Sequence, residues 1–178
     1  MGKRIQKKKI IKEIFWFLLK FNLLLIPFYA IIYFDVNFYL IQELFANLIG
    51  YMLRIFGYSA NISGFFIHVG DLSIDISRDC IGWKSAYSLF ALVLASPGKL
   101  KKKLSFLGIW VPIFFLFNIF RVFITIIVGL EFDANYLKIL HNIVWQEAII
   151  LGIVGVWYLW MRKEIFKKKI KELNKKKQ

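Results

Sequence analysis

"SPGKLKKK", residues 96–103, stands between two apolar runs and carries four lysines in eight positions. Upstream, residues 80–96 hold one charge, Lys84; downstream, residues 104–128 hold one, Arg121. About 20 apolar residues at 1.5 Å rise cross a hydrocarbon layer of about 30 Å. A Pro-Gly break and a lysine cluster between two such runs read as a short cytoplasmic connection between two membrane spans.

Working outward from that connection, two more stretches qualify as spans. Residues 15–34 form the first, with Lys20 one turn inside and able to snorkel to the headgroups. Residues 140–160 form the last and end at "MRKEIFKKK". A fifth stretch, 38–57, carries Glu43, Asn47, Gly50 and Arg54 on one helical face, so it is read as amphipathic, lying in the outer interface or re-entering from it.

Charge decides the number of crossings. With four, both termini and the 98–103 loop share a side that holds 19 of the 25 lysines and arginines, with only Glu13, Glu164 and Glu172 opposing. The other side holds Arg54, Arg78 and Lys138 against seven acids. Five crossings would put the two basic tails in opposite compartments, against the positive-inside rule. The expected fold is therefore an all-α polytopic membrane protein of four transmembrane helices plus the amphipathic outer helix. In "NISGFFIHVGDLSIDIS", 61–77, apolar residues alternate about Gly70-Asp71, which adds a short external β-hairpin.

Composition agrees. The 178 residues are 59% hydrophobic, too apolar for an ordinary soluble domain. They read as one membrane domain: a basic cytoplasmic tail at 1–14, a core at 15–161 and a second basic tail at 162–178. The net charge of +14 invites a nucleic-acid partner, but its confinement to tails and one loop is the signature of cytoplasmic flanks. The N-terminal apolar segment is too long, and lacks the small-residue cleavage pattern, for a signal peptide. No Cys/His spacing suggests a metal, no glycine loop suggests a phosphate, and no cofactor is expected.

Polar residues placed by depth converge. Cys80, the only cysteine, opens the second span from outside. Arg121 lies 18 residues above Lys103, roughly 27 Å up the third helix. His141 opens the fourth span from outside, whereas His68 falls in the hairpin and is expected to face solvent. A charge within a span is costly and usually faces a partner or a cavity. In the first turn of a helix Cys80 would gain thiolate character from unpaired N–H groups, with Asp79 as N-cap. Arg121 would favour the thiolate or an oxyanion, His141 could move the proton, and Asn118, one turn below Arg121, could orient the guanidinium. Lys84 either assists the thiolate or pairs with Glu147; Gly82 permits close helix approach or makes room for substrate. Taken singly, each has a plainer structural reading: Cys80 a small buried hydrophobe, Arg121 a snorkelling side chain, His141 a cap.

"DCIGWKS" resembles the Cys-x-Gly motif of the exosortase/archaeosortase family, "FNIFR" resembles its Asn-x-x-Arg motif, and His141 stands where exosortases place their histidine. The resemblance implies a multi-pass cell-membrane cysteine protease/transpeptidase with its site facing outside. Such enzymes act on exported proteins bearing a C-terminal motif, a transmembrane helix and a basic cluster. They cut through a Cys thioester and pass the new carboxyl end to a lipid or other amine acceptor. By that implication Cys80 is the nucleophile, Arg121 the oxyanion or thiolate partner and His141 the acid/base. Two rival readings are a non-catalytic transporter subunit or assembly factor, and a thiol protease that releases its product to water.

Overall fold

The computed structural model describes residues 2–70, 72–132 and 145–175. They are mostly helical: α1 (Gly2–Tyr33), α2 (Tyr39–Ile55), strands β1 (Ala60–Ser63), β2 (Phe66–Val69) and β3 (Leu72–Asp75), then α3 (Trp83–Ala95), α4 (Leu100–Glu131) and α5 (Trp145–Lys175). Among the described residues, two helical stretches are long and apolar enough to cross a bilayer, Ile10–Tyr33 and Leu100–Glu131. Both expose large apolar side chains, Leu23 and Ile26 on α1 and Leu116 and Phe120 on α4 among them. A surface of that kind suits a membrane. The expected second span is shorter than its apolar run: α3 is 13 residues, about 20 Å. The first four residues of the expected fourth span, and position 144, lie outside the described residues.

The chain forms two compact units. One comprises Met1–Val36, Tyr87–Ile109 and Ile153–Gln178. Here α1 ends in a left-handed Asp35 (φ 49°), with Val36 N–H bonded to the Ile31 carbonyl and Asp35 N–H to that of Ile32. That is a Schellman stop, and aspartate is among the few side chains that tolerate the conformation. Pro27 interrupts the hydrogen-bond ladder of α1, and the Tyr87 hydroxyl donates to the nearby Leu24 carbonyl at 2.7 Å. The 96–103 connection is pinned from α5: Trp157 Nε1 donates to Ser96 Oγ at 2.8 Å and Trp160 Nε1 to the Pro97 carbonyl at 3.3 Å. Trp160 is 2% exposed and covers Gly98, whose φ of 133° no other residue adopts easily. Lipid tails are as apolar as leucine, so such hydrogen bonds, at roughly 0.5–2 kcal/mol each, carry more of the specificity than burial does.

The other unit comprises Asn37–Ala86 and Trp110–Gly152 and holds the sheet. The expected hairpin is present, β2 pairing with β3 across the Gly70 turn (φ 57°). It is enlarged by β1, which pairs with β2 across a two-residue loop opened by Gly64 (φ 61°), giving an antiparallel order β1-β2-β3. The Ser-Gly dipeptide at 63–64 was the overlooked turn signal. Helix α2 covers this sheet with Gln42, Phe45, Ala46, Ile49, Gly50 and Leu53. Gly50 therefore belongs to the buried face and not to the polar stripe. A Cβ there would lie 2.5 Å from Ile62 Cδ1, so the glycine lets the helix approach the strand. Glu43, Asn47 and Arg54 keep their expected shared face, and Arg54 Nε donates to the Ala60 carbonyl at 2.8 Å. Beside them Leu40, Leu44, Leu48, Tyr51 and Ile55 form an exposed apolar stripe suited to an interfacial helix. Gly57 (φ 89°) ends α2, and the next residue's hydroxyl, on Tyr58, donates to Glu131 Oε1 at 2.8 Å. That bond holds the Tyr58 phenol above its ordinary pKa.

Candidate active site

The chain leaves β3 and makes one tight turn before α3. Cys80 N–H donates to the Ser77 carbonyl at 2.9 Å, closing the turn Ser77-Arg78-Asp79-Cys80. The Ser77 hydroxyl donates to Cys80 Sγ at 3.3 Å. Gly82 follows with φ 79°, and its carbonyl accepts from Ala86 N–H and from Ser85 Oγ (3.2 and 2.7 Å). Gly82 is thus the residue that starts α3. The strand leading into the turn is fastened from α2, where buried Gln42 donates from Nε2 to the Ile76 carbonyl at 2.9 Å.

The turn departs from the sequence expectation at two residues. Cys80 precedes the helix by three residues and is not in its first turn. Asp79 is not the N-cap: its carboxylate pairs with Lys84 at 2.7 Å, both side chains about half exposed. The left-handed Gly82 is the physical reason, because the reversal it permits separates the thiol from the helix that the apolar run suggested. Lys84 is held at the turn by this ion pair.

Helix α4 supplies the facing residues. Asn118 and Arg121, three apart, share a helix face. Asn118 is 2% exposed and donates from Nδ2 to the Cys80 carbonyl. It therefore orients the turn, not the guanidinium. Its Oδ1 is buried and has no hydrogen-bond partner among the described residues. A Cβ on Gly82 would lie 2.9 Å from Asn118 Cγ, so the glycine permits the expected close approach and, in addition, supplies a left-handed conformation that the sequence reading did not anticipate. Arg121 lines the same cavity as Cys80. Cys80, Gly82, Lys84, Asn118, Arg121 and Asp79 all line one cavity of about 430 Å³, with Ile149 and Ile150 of α5 among its walls. His141 lies outside the described residues. His68 is exposed on β2 and stacks on Phe66, as expected of a solvent-facing side chain.

The family model of transmembrane exosortases matches residues 11–146, well over half of the chain. The chain belongs to the transmembrane exosortase family. No curated protein and no solved structure matches it. Ser77 is the site neighbour that sequence reasoning missed. A serine three residues before the cysteine, followed by Arg-Asp, is turn chemistry and could have been read as such.

The Cys80 thiol is half-buried, receives the Ser77 hydroxyl hydrogen bond and lines a cavity together with the Arg121 guanidinium. An open cavity on the same side leaves room for an electrophile. The chemistry available to this arrangement is nucleophilic attack by sulfur with a fixed cation beside the developing oxyanion.

Proposed function

We propose that the chain is a membrane cysteine transpeptidase acting on exported proteins that carry a C-terminal sorting tail. The Cys80 thiolate attacks the scissile carbonyl, forming a C–S bond and a tetrahedral oxyanion beside Arg121. The C–N bond then breaks, and the amine of the departing tail takes a proton, with His141 as its donor. The resulting thioester is opened by an amine of a lipid or other acceptor, which returns the thiol and leaves a new amide. Asn118 fixes the Cys80 carbonyl and so holds the turn that carries the thiol.

The observation that carries this reading is the single cavity in which the only cysteine, Arg121 and Asn118 meet, each from the family-resembling motif that predicted it. Four crossings with both tails cytoplasmic and the site outward complete it. Charge asymmetry supports that topology, as does a scissile bond lying just outside its own membrane helix. The test is processing of tail-bearing exported proteins in cells. Cys80→Ala and Cys80→Ser should insert at wild-type levels and accumulate uncleaved substrate. Normal processing by either variant would end the enzymatic reading. The mass of the product's C-terminus separates transfer from release to water.

A further inference from the structure

A second cavity, of about 440 Å³, meets the first at Ser77, Cys80 and Arg121. One wall is β3, the other the face of α4 bearing Val122, Thr125, Ile126 and Gly129. Those four follow i, i+3, i+4, i+7, so they form one continuous ridge. From Arg121 to Gly129 the helix rises about 12 Å, and four residues of β3 extend about 13 Å. The groove is therefore as long as a short extended peptide and leads to the sulfur.

Strand β3 is an edge of its sheet. Ile76 N–H bonds to the Phe65 carbonyl at 3.0 Å, and the pairs Ile67↔Ile74 and Val69↔Leu72 continue that register in steps of two. Hydrogen-bonded pairs alternate in an antiparallel ladder. Leu72, Ile74 and Ile76 thus turn their backbone groups toward β2, while Ser73 and Asp75 turn theirs outward along the groove. Neither has a backbone partner there among the described residues. An edge of this kind is a template for one more strand.

We propose that β3 is the docking rail for substrate: the segment preceding the scissile bond binds as an extended strand along Ser73 and Asp75, its last carbonyl delivered to Cys80 Sγ. This rests on the reading of Cys80 as nucleophile. The direction follows from chain order. β3 runs toward Cys80, and the acyl side of a substrate must end there, so the added strand is parallel to β3. The ridge of α4 rises from Arg121 toward the end of the helix remote from its lysines, the side on which an exported protein's body lies. Recognition along the rail is largely through main chain, with apolar contacts to α4 selecting alternate side chains.

The test uses the full chain in nanodiscs and exploits its single cysteine, which makes intact mass an unambiguous count of adducts. The probe is the peptide chloromethyl ketone acetyl-Val-Thr-Val-Ala-CH2Cl, which alkylates the thiolate with loss of chloride. Two isomers carry an N-methyl group on one or the other of two adjacent amides, and chloroacetamide serves as the small reagent. One methylated isomer should label Cys80 about tenfold more slowly than the parent, the cost of one or two lost hydrogen bonds, and the other within about twofold. Ser73→Pro removes an outward N–H that donates to a carbonyl of the added strand, so it should slow the parent and the tolerated isomer alike by about tenfold, with each rate normalised to chloroacetamide labelling of the same variant. Equal rates for both isomers and the parent on the unmodified protein would overturn the rail while leaving the nucleophile intact. Failure of chloroacetamide to label folded Cys80 faster than an ordinary free thiol would instead overturn the nucleophile, and the rail with it.

Discussion

Replacing Gly82 by alanine should unmake the turn that presents the thiol, and the structure sets the size of the effect. At φ 79° an L-residue is in the left-handed region, which costs about 1–2 kcal/mol. The new Cβ would also sit 2.9 Å from Asn118 Cγ and 3.1 Å from its Nδ2. Asn118 is 2% exposed and cannot swing into solvent, so it must give up its bond to the Cys80 carbonyl. Leaving that buried donor unpaired costs about 1–3 kcal/mol more. The sum is about 2–5 kcal/mol, a large share of a stability that is typically about 5–15 kcal/mol. A dodecyl sulfate titration in mixed micelles, followed by near-UV circular dichroism, reads it. A double-mutant cycle with Asn118→Ala isolates the clash: in that background Gly82→Ala should cost only the conformational part, about 1–2 kcal/mol. A cost below about 0.5 kcal/mol, or an equal cost in both backgrounds, would mean that Gly82 neither needs its left-handed conformation nor crowds Asn118.

Two other substitutions probe the same unit. Ser77→Ala removes the hydroxyl that donates to Cys80 Sγ and should slow chloroacetamide labelling of Cys80 about tenfold at neutral pH, since hydrogen bonds to charged groups are worth about 1.5–3 kcal/mol; an unchanged rate constant would remove Ser77 from the site. Gly50→Ala gains about 1 kcal/mol in helix propensity but drives a methyl into Ile62, where overpacking costs about 1–3 kcal/mol. The single variant should be destabilised, and adding Ile62→Ala should bring it back to or above the stability of Ile62→Ala alone.

The long apolar helices and the residues that line the cavity were legible because they rest on local pattern. Long apolar runs and clustered lysines need no tertiary knowledge, and the Cys, Asn and Arg of the two motifs announce their chemistry by residue type. What was not legible depends on partners distant in sequence. Gly50 looked polar-facing at helical spacing, yet its lack of a side chain matters because Ile62 arrives from β1. Asn118 looked like a support for Arg121, three residues on, but its amide reaches a carbonyl 38 residues earlier. The start of α3 was misplaced because an apolar run does not show where φ changes sign. Gly82 was noticed for its size and not for its backbone.

Those distant fastenings explain how an irregular segment can hold Cys80 in place in a membrane protein. Non-helical backbone at membrane depth is tolerated where its polar groups are satisfied by protein or line a wet cavity. Through the segment Ile76–Gly82 the protein supplies many of those partners itself. Gln42 takes the carbonyl of Ile76, Cys80 N–H takes that of Ser77, Asn118 takes that of Cys80, and Ala86 with Ser85 takes that of Gly82. The partners come from α2, from the turn itself, from α4 and from the start of α3. A thiol in the first turn of a helix would be held by one element alone. In this turn its position is set by three helices, so that sulfur, Arg121 and cavity stay in register, and a change in any one of them is felt at the sulfur.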